Sequence, residues 1–304
     1  MEPVVLRVFG LNTEVIIERE RELKARTLGG HRKLCSPLTS PGLLAQVLLQ
    51  LNAAGFGAPV LATFTNGRVE GWLHARPLEP VEMTDAERSP RLARLVAAFH
   101  AARVDEPREP HLWPLVRGWL ETARTLVLPD PAKQAKLALI DLSSLAAEIE
   151  EVQAACDSLR SPTVFCHNDL LAPNFLEEAG GALHLIDFEY SAYGPRGFDL
   201  GNHFNEWAGF DCVYSRYPTD EQQRRFLASY LAASSSGGGA VDETALAALV
   251  VEADVYSLAS HLYWCVWCLI QARYSAVDFD YLTYHEERMQ EYWRRKAGVL
   301  ARLH

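Results

Sequence analysis

An eight-residue polar segment constrains the fold of this chain more than any other part of its sequence. Residues 167–174 read His-Asn-Asp-Leu-Leu-Ala-Pro-Asn and have the form H-x-D-x-x-x-x-N. A hydrophobic run reaches Asp187 thirteen residues after Asn174. Short β-rich runs lie on either side of the segment, at Val164–Cys166 and His184–Phe188. The loop after the first run and the acidic end of the second are therefore expected to meet at one centre.

Phosphoryl transfer is the chemistry that this arrangement suits. One carboxylate must orient a substrate hydroxyl and accept its proton, while an amide oxygen and a second carboxylate must hold Mg²⁺ against the nucleotide phosphates. Asp169, Asn174 and Asp187 supply this set of groups. Because Asp and Asn are also common in turns and helix caps, the order and spacing of the three residues carry the hypothesis. His167 is expected to hold the loop by bonding to backbone rather than to act as the base.

Charge and hydropathy exclude several other classes of protein. The chain has 304 residues with 29 basic and 39 acidic side chains, a formal net charge of −10. An acidic chain without a cluster of Lys and Arg is a poor match for nucleic acid or anionic lipid. From its length, the longest apolar run, near Tyr256–Ile270, is expected to be too short to span a bilayer, and the residues after Met1 are not expected to act as a secretory leader. We expect a cytoplasmic protein with no nucleic-acid partner and no membrane span.

The distribution of β-rich and helical segments predicts an α+β layout with two lobes. In a β-rich N-terminal lobe of residues 1–75, strands at Val60–Phe64 and Arg68–Leu73 are joined by the hairpin signal Asn66-Gly67. Residues 76–304 form a larger, mostly helical lobe. The other predicted segments are strands at Val4–Phe9, Thr13–Ile17 and Asn174–Leu176, and helices at Glu18–Thr27, Leu43–Ala54, Pro90–Ala102, Leu112–Thr125, Ala132–Leu159, Glu221–Ala233, Glu243–Gln271 and Tyr281–Leu303.

The sequence resembles the choline/ethanolamine kinases, a branch of the protein-kinase-like phosphotransferases. The resemblance covers most of the chain and is carried by four segments, residues 167–176, 187–190, 193–207 and 261–267. In the second segment, Glu189 stands where protein kinases have Gly. Within the family, residues 205–209 and 274–282 are more similar to ethanolamine kinases than to choline kinases.

The resemblance implies a fold and a reaction. The fold is the bilobal protein-kinase-like fold, with a small nucleotide-binding N-lobe and a larger catalytic and substrate-binding C-lobe. The reaction converts ATP and ethanolamine into phosphoethanolamine and ADP, on the CDP-ethanolamine route to phosphatidylethanolamine, and choline is the alternative acceptor. Asp169 is implied as the catalytic base, with Asn174 and Asp187 as Mg²⁺ ligands and Glu189 as a further one.

The resemblance also implies a nucleotide site and the partners of the chain. Arg7 falls where the family places a cation that meets the ATP phosphates, and Glu22 is the preferred partner of that cation. The segment Glu70, Gly71, Trp72 and Leu73 matches the hinge whose backbone meets adenine. The expected partners are the small molecules ATP and ethanolamine, and a homodimer is the possible assembly.

Four residues are expected to bind the ammonium group of the substrate. A cationic amine is best held by a carboxylate and by aromatic faces, each face contributing about 0.5–2 kcal/mol when desolvated. Glu206 supplies the carboxylate, and Tyr190, Trp264 and Trp267 supply the rings. Trp264 and Trp267 are three residues apart on a predicted helix, so their rings share one face. Large aromatic residues are more often simply core, which is the alternative for this face.

Two departures from the family pattern keep other functions open. The chain begins at the Arg7 strand, so the hairpin whose Gly-containing loop covers the ATP phosphates is expected to be absent. The Leu43–Asn52 helix has Gln46 but no Glu, which leaves Glu22 as the preferred partner of Arg7. A second hypothesis is therefore a kinase-like binding protein with impaired nucleotide binding. A third, an aminoglycoside-type phosphotransferase, does not account for residues 202–209.

Overall fold

The computed structural model describes residues 3–8, 43–64, 67–235 and 241–303. Its N-terminal part is a three-stranded antiparallel sheet in the order β1-β3-β2. The strands and the helix before the second of them are β1 (Val4–Val8), α1 (Leu43–Ala53), β2 (Val60–Phe64) and β3 (Gly67–Gly71). All four were predicted from the sequence, and the pairing of β2 with β3 confirms the hairpin. The strand predicted at Thr13–Ile17 and the helix at Glu18–Thr27, with Glu22, lie outside the described residues.

A tight connection after α1 sets the angle at which the chain enters β2. The Asn52 side chain donates from Nδ2 to the carbonyl of Phe56 at 2.8 Å, and its Oδ1 accepts the backbone N–H of Val60 at 2.8 Å. Gly57 between them has a φ of 74°, which favours glycine. A Cβ at Gly57 would also lie 2.7 Å from the ring of Phe188, so the connection packs closely against the C-terminal part of the chain.

The rest of the chain is mostly helical and is organised around one long helix. The helices are α2 (Arg88–His100), α3 (Leu112–Ala123), α4 (Pro131–Ala138), α5 (Leu142–Ser158), α6 (Arg196–Glu206), α7 (Asp220–Ser234), α8 (Glu243–Tyr274) and α9 (Tyr281–Leu300). Helix α8 packs against α3, α5, α6, α7 and α9. It is the one described helix long and apolar enough to cross a membrane, and 78% of its apolar window is buried inside the protein, as in the core helix of a folded domain.

Two small antiparallel sheets surround the polar segment that dominates the sequence. One has the order β4-β6-β7 and the other pairs β5 with β8. The strands are β4 (Ala75–Pro77), β5 (Thr163–Cys166), β6 (Phe175–Glu178), β7 (Leu183–Leu185) and β8 (Ala192–Pro195), and a 3-10 turn at Ala172–Asn174 precedes β6. The predicted lobe boundary after residue 75 falls within β4, whose partner β6 directly follows the polar segment.

The structure differs from the sequence predictions at several elements. The helix predicted over Ala132–Leu159 is two helices, because the Asp141 carboxylate accepts the N–H groups of Ser143 and Ser144 at 2.9 and 3.0 Å and starts α5 as an N-cap. The strand predicted over His184–Phe188 ends at Leu185. Strands β4 and β8 and helix α6 were not predicted at all.

Helix α6 lies so close to α8 that side chains are excluded between the two backbones. A Cβ at Gly201 would lie 2.5 Å from the backbone nitrogen of Ser257 and 2.6 Å from the carbonyl oxygen of Ala253. A Cβ at Gly197, one turn earlier, would lie 2.4 Å from the ring of Tyr256. A Cβ atom essentially never lies within 3.0 Å of another heavy atom, so these two glycines allow α6 to pack this closely against α8.

Candidate active site

The polar segment forms a compact loop whose side chains contact one another. The Asn174 amide nitrogen donates to the Asp169 carbonyl oxygen at 2.8 Å and to its carboxylate Oδ2 at 2.9 Å. The Asn174 carbonyl oxygen in turn accepts the backbone N–H of Ile186 at 3.0 Å, immediately before Asp187. The structure therefore brings together Asp169, Asn174 and Asp187, as the spacing of the motif predicted.

His167 ties the loop to the strand that leads into Asp187. Its Nε2 lies 2.9 Å from the carbonyl oxygen of Ile186, and its Nδ1 accepts the backbone N–H of Asp169 at 3.3 Å. Burial lowers the pKa of His167, so the ring is neutral and Nε2 carries the proton. The predicted structural role of His167 is confirmed.

A buried carboxylate that the sequence analysis did not single out holds the first half of the loop. Asp199 of α6 accepts the backbone N–H groups of His167 and Asn168, both at 2.6 Å. It also lies 2.9 Å from Nε2 of His100, whose Nδ1 is 2.8 Å from the hydroxyl of Tyr230. A fully buried carboxylate with several donors is rarely replaceable, because removing its charge leaves those donors unsatisfied.

Backbone strain is concentrated in the polar segment and at Asp187. Asn168 has a φ of 66° and Asp187 a φ of 68°. This left-handed conformation is disfavoured for residues with a Cβ, although Asn and Asp tolerate it best. Because it interrupts an extended backbone, β7 ends before Asp187 and the Asp187 carboxylate is presented from a turn. Strain of this kind persists where surrounding contacts enforce it, which is common at active sites.

Negative charge accumulates around Asp169. Its pKa is raised well above the ordinary value, mainly because the side chain is desolvated, and further because the carboxylates of Glu206, Asp187 and Glu189 lie nearby. The hydrogen bond from Asn174 acts in the opposite direction. Four carboxylates and one amide therefore share one site, an arrangement that is unfavourable unless cations occupy it.

The predicted aromatic residues lie beside this acidic centre and contact each other. The rings of Tyr190 and Trp264 are 5.5 Å apart, and those of Trp264 and Trp267 are 5.1 Å apart. The Trp267 indole N–H donates to the Tyr190 hydroxyl at 3.0 Å, and Asp169 is one of the charges that raise the pKa of Tyr190, after burial as the main cause. Tyr190 and Trp267 are partly exposed, whereas Trp264 is only 7% exposed and belongs largely to the core.

Glu206 reaches the site from the last residue of α6 and is paired with a basic side chain. Nη1 of Arg288, on α9, donates to its Oε1 at 2.9 Å, and both side chains are buried. Arg288 was not among the predicted site residues, because no spacing in the sequence links it to Glu206 across 82 positions.

Comparison with known proteins agrees with this geometry. The chain matches the family described as choline/ethanolamine kinase over residues 31–293. It belongs to the choline/ethanolamine kinase family. It is similar to probable ethanolamine kinases of Arabidopsis thaliana (41% identical, covering 96% of this chain and 72% of that protein) and Dictyostelium discoideum (34% identical, 98% and 78%). Among solved structures, Plasmodium vivax ethanolamine kinase has a TM-score of 0.80 at 27% identity and covers 96% of this chain and 76% of that chain.

Family membership confirms the expected fold and class of reaction. The chain has the α+β, protein-kinase-like architecture that the resemblance implied, with a small sheet followed by a helical body. It is an ATP-dependent phosphotransferase that acts on an alcohol group.

The donor set at the centre of the site suits Mg²⁺. This ion prefers oxygen ligands and is usually bound by one or two carboxylates together with substrate phosphates. The Asn174 amide nitrogen donates both of its bonds to Asp169, which leaves the amide oxygen to act as a ligand. The carboxylates of Asp187 and Glu189 lie near enough to affect Asp169 electrostatically. The predicted metal ligands are therefore of the right chemical type and share one site.

The predicted nucleotide-binding residues lie in or beside the N-terminal sheet. Arg7 is a residue of β1, opposite Arg68 of β3. Glu70 and Gly71 are in β3, where the Gly71 N–H donates to the Pro59 carbonyl at 2.8 Å. The next two residues, Trp72 and Leu73, lie between β3 and β4, with Trp72 half-exposed. Their contacts with the nucleotide stay predictions, as does the pairing of Arg7 with Glu22.

Proposed function

We propose that this protein is an ethanolamine kinase, which transfers the γ-phosphoryl group of Mg·ATP to the hydroxyl of ethanolamine. The convergence of Asp169, Asn174 and Asp187 beside Glu206 and the aromatic residues is the observation that carries the proposal. The similarity to the ethanolamine kinases of Arabidopsis thaliana and Plasmodium vivax supports the choice of substrate. Choline is the second candidate, because the family description includes both acceptors.

Asp169 acts as the proton acceptor in the proposed mechanism. The Asn174 amide holds its Oδ2, and the bond from the Asp169 N–H to His167 holds its backbone. Burial and the surrounding carboxylates raise its pKa, which makes the carboxylate a better acceptor for a hydroxyl proton. As the substrate oxygen bonds to the γ-phosphorus, its proton passes to Asp169 and the bond from that phosphorus to the bridging oxygen of ADP breaks.

Asn174, Asp187 and Glu189 are the proposed Mg²⁺ ligands. When bound, Mg²⁺ neutralises charge on the phosphates and on the acids that surround them. The protein contributes a fixed donor set: hydrogen bonds from Asn174 to Asp169, and from Ile186 to Asn174, hold the loop and the Asp187 turn together.

A primary ammonium suits the proposed amine subsite better than a trimethylammonium does. Aromatic faces such as those of Tyr190 and Trp267 attract either cation. A buried carboxylate adds a charge-assisted hydrogen bond only if the cation has an N–H to donate, and Glu206 is buried. A site built around such a bond discriminates strongly against an analogue that lacks the donor.

The proposal is tested by phosphate transfer from Mg·ATP to ethanolamine and to choline, with wild-type protein and Asp169→Asn. We expect wild-type turnover to require Mg²⁺ and to prefer ethanolamine in kcat/KM. Asp169→Asn should lower kcat by at least about a hundredfold, the lower end of the range for general-base catalysis, with a smaller change in KM. Asp187→Ala should abolish Mg²⁺-dependent turnover.

The competing hypotheses give different results in the same assay. A kinase-like binding protein would transfer phosphate no faster than Asp169→Asn, and a choline kinase would reverse the preference in kcat/KM. As a matched control, Asp130→Asn changes an exposed N-cap carboxylate of α4, away from the proposed site, and should leave both kinetic constants unchanged. The cytoplasmic location and the homodimer stay predictions.

A further inference from the structure

Arg288 makes more contacts around Glu206 than a simple ion pair requires. Its Nη1 donates to Glu206 Oε1 at 2.9 Å and to the hydroxyl of Tyr284 at 2.7 Å, and its Nη2 donates to Ser260 Oγ at 3.3 Å. Arg288 is only 2% exposed, so these contacts form away from water. The three acceptors belong to α6, α9 and α8, and Arg288 therefore fixes the end of α6 relative to both other helices.

The ion pair with Arg288 uses only one of the two carboxylate oxygens of Glu206. Arg288 binds Oε1, and among the described residues no donor lies within hydrogen-bond distance of Oε2. A carboxylate held by both oxygens would have less acceptor capacity left for a substrate. One held through a single oxygen keeps a fixed orientation and still presents its second oxygen.

The hydrogen bonds of Arg288 also continue to Trp264, one of the aromatic residues of the proposed amine subsite. Ser260, which accepts from Arg288, donates from Oγ to Asn202 Oδ1 at 2.8 Å. The Trp264 indole N–H donates to that same oxygen at 2.7 Å. A continuous chain of hydrogen bonds therefore connects Arg288 to both Glu206 and Trp264.

Stability alone is a poor explanation for this arginine. Burying an ion pair removes two charges from water, and hydrophobic residues of the same size are often at least as stabilising. The Nε of Arg288 is buried without an acceptor among the described residues, which is unfavourable. In addition, Glu206 lies near Asp169, whose surroundings are already acidic, so an uncompensated fourth carboxylate would add repulsion there.

We infer that Arg288 is a positioning residue of the amine subsite, which holds Glu206 through Oε1 so that Oε2 can accept a hydrogen bond from the substrate ammonium. The inference rests on the proposed function, because it assigns a role at the ethanolamine subsite. Arg288 itself does not touch the substrate. It acts through Glu206, and this dependence can be tested.

The test is a cycle of Glu206→Gln, Arg288→Met and the double variant, with KM measured for ethanolamine and for ATP. Each single substitution should raise the ethanolamine KM on the order of tenfold, about 1.4 kcal/mol, and leave the ATP KM within about twofold. The double variant should have the same ethanolamine KM as Glu206→Gln, because Arg288 has nothing left to position. Independent effects would multiply instead to about a hundredfold, and would overturn the inference.

Arg196→Met is the matched control. Arg196, at the opposite end of α6 from Glu206, pairs with the buried Glu252 of α8 at 2.9 Å. It should lower the thermal stability as Arg288→Met does, because each leaves a buried carboxylate without its arginine. The ethanolamine KM should change only in Arg288→Met.

The remaining outcomes separate the inference from the proposed function. An active wild type with an unchanged ethanolamine KM in Arg288→Met contradicts the positioning role alone. A wild type that does not phosphorylate ethanolamine contradicts the proposed function, and the positioning role with it. If Arg288→Met does not fold, the double variant, which buries no unpaired charge, is compared directly with Glu206→Gln: equal KM values support the role, and a larger value in the double variant contradicts it.

Discussion

Adding one methyl group at Gly201 should displace α6, the helix whose Asp199 holds the active-site loop. In Gly201→Ala the new Cβ would lie 2.5 Å from the Ser257 nitrogen and 2.6 Å from the Ala253 oxygen, where ordinary contacts begin near 3.4 Å. Both neighbours are backbone atoms of α8, so no side-chain rotation relieves the clash. Helix α6 must therefore move away from α8 by about 0.9 Å or bend by an equivalent amount.

The expected consequence is a loss of both stability and turnover. Overpacking of a core usually lowers the free energy of unfolding by about 1–3 kcal/mol, and rigid backbone on one side favours the upper end. The same displacement would stretch the 2.6 Å bonds from Asp199 to the loop beyond 3.2 Å, the usual limit for N–H···O bonds. A misplacement of this size lowers kcat by about a hundredfold in well-organised sites.

The same substitution at a different glycine provides the control. Gly118 lies in the middle of α3, and a Cβ there would meet nothing within 4 Å. Gly118→Ala should raise the free energy of unfolding by roughly 0.5–1 kcal/mol, because alanine loses less conformational entropy in a helix. Urea denaturation and kcat with Mg·ATP and ethanolamine are measured for both variants. A Gly201→Ala protein with wild-type stability and kcat would refute the argument that glycine sets the position of α6.

Two further predictions concern buried polar groups. Asp199→Asn should lower the free energy of unfolding by about 2–4 kcal/mol and should reduce kcat. The reason is that an amide cannot accept hydrogen bonds from His167, Asn168 and His100 together. A variant with wild-type stability in urea denaturation and a wild-type kcat would contradict this prediction. Burial lowers the pKa of His203 to about 4, below its value near 6.5 in the unfolded chain. The contribution of the neutral ring to the free energy of unfolding is therefore complete above pH 6.5 and is lost as the pH falls toward 4. Between pH 6.5 and 4, the free energy of unfolding measured by urea denaturation should fall by about 3 kcal/mol more in the wild type than in His203→Gln. If the free energies of the two proteins changed in parallel with pH, His203 would be excluded as the cause.

The catalytic centre could be predicted from the sequence because its parts are close along the chain. Asp169 and Asn174 are five residues apart and contact each other directly, and a loop of that length can hardly separate them. The Asp187 turn is fixed to Asn174 by backbone bonds of a neighbouring strand. Short-range spacing therefore determines this part of the geometry, and the prediction of His167 as a structural residue succeeded for the same reason.

Helix α6 escaped prediction because it lacks the pattern by which helices are recognised. A surface helix alternates between apolar and polar faces with a period near 3.6 residues. Every residue from Gly197 to Glu206 is buried, including the polar residues Asp199, Asn202, His203 and Asn205. With no exposed face there is no periodicity to find, and two glycines lower the intrinsic helix propensity further. The contact between Glu206 and Arg288 was missed because it depends on how α6 and α9 pack on α8.

The helix that was hardest to predict connects the chemical step with the proposed amine subsite. Asp199 and Glu206 are seven residues apart on α6, hence on one face and separated by about 10 Å along the axis. The first holds the loop that carries Asp169, and the second is the proposed ligand of the ammonium. A displacement of α6 as a whole should therefore change kcat and the amine KM together, whereas loss of Arg288 should change the amine KM alone. That contrast between Gly201→Ala and Arg288→Met distinguishes one rigid helix serving both sites from two sites that are positioned separately.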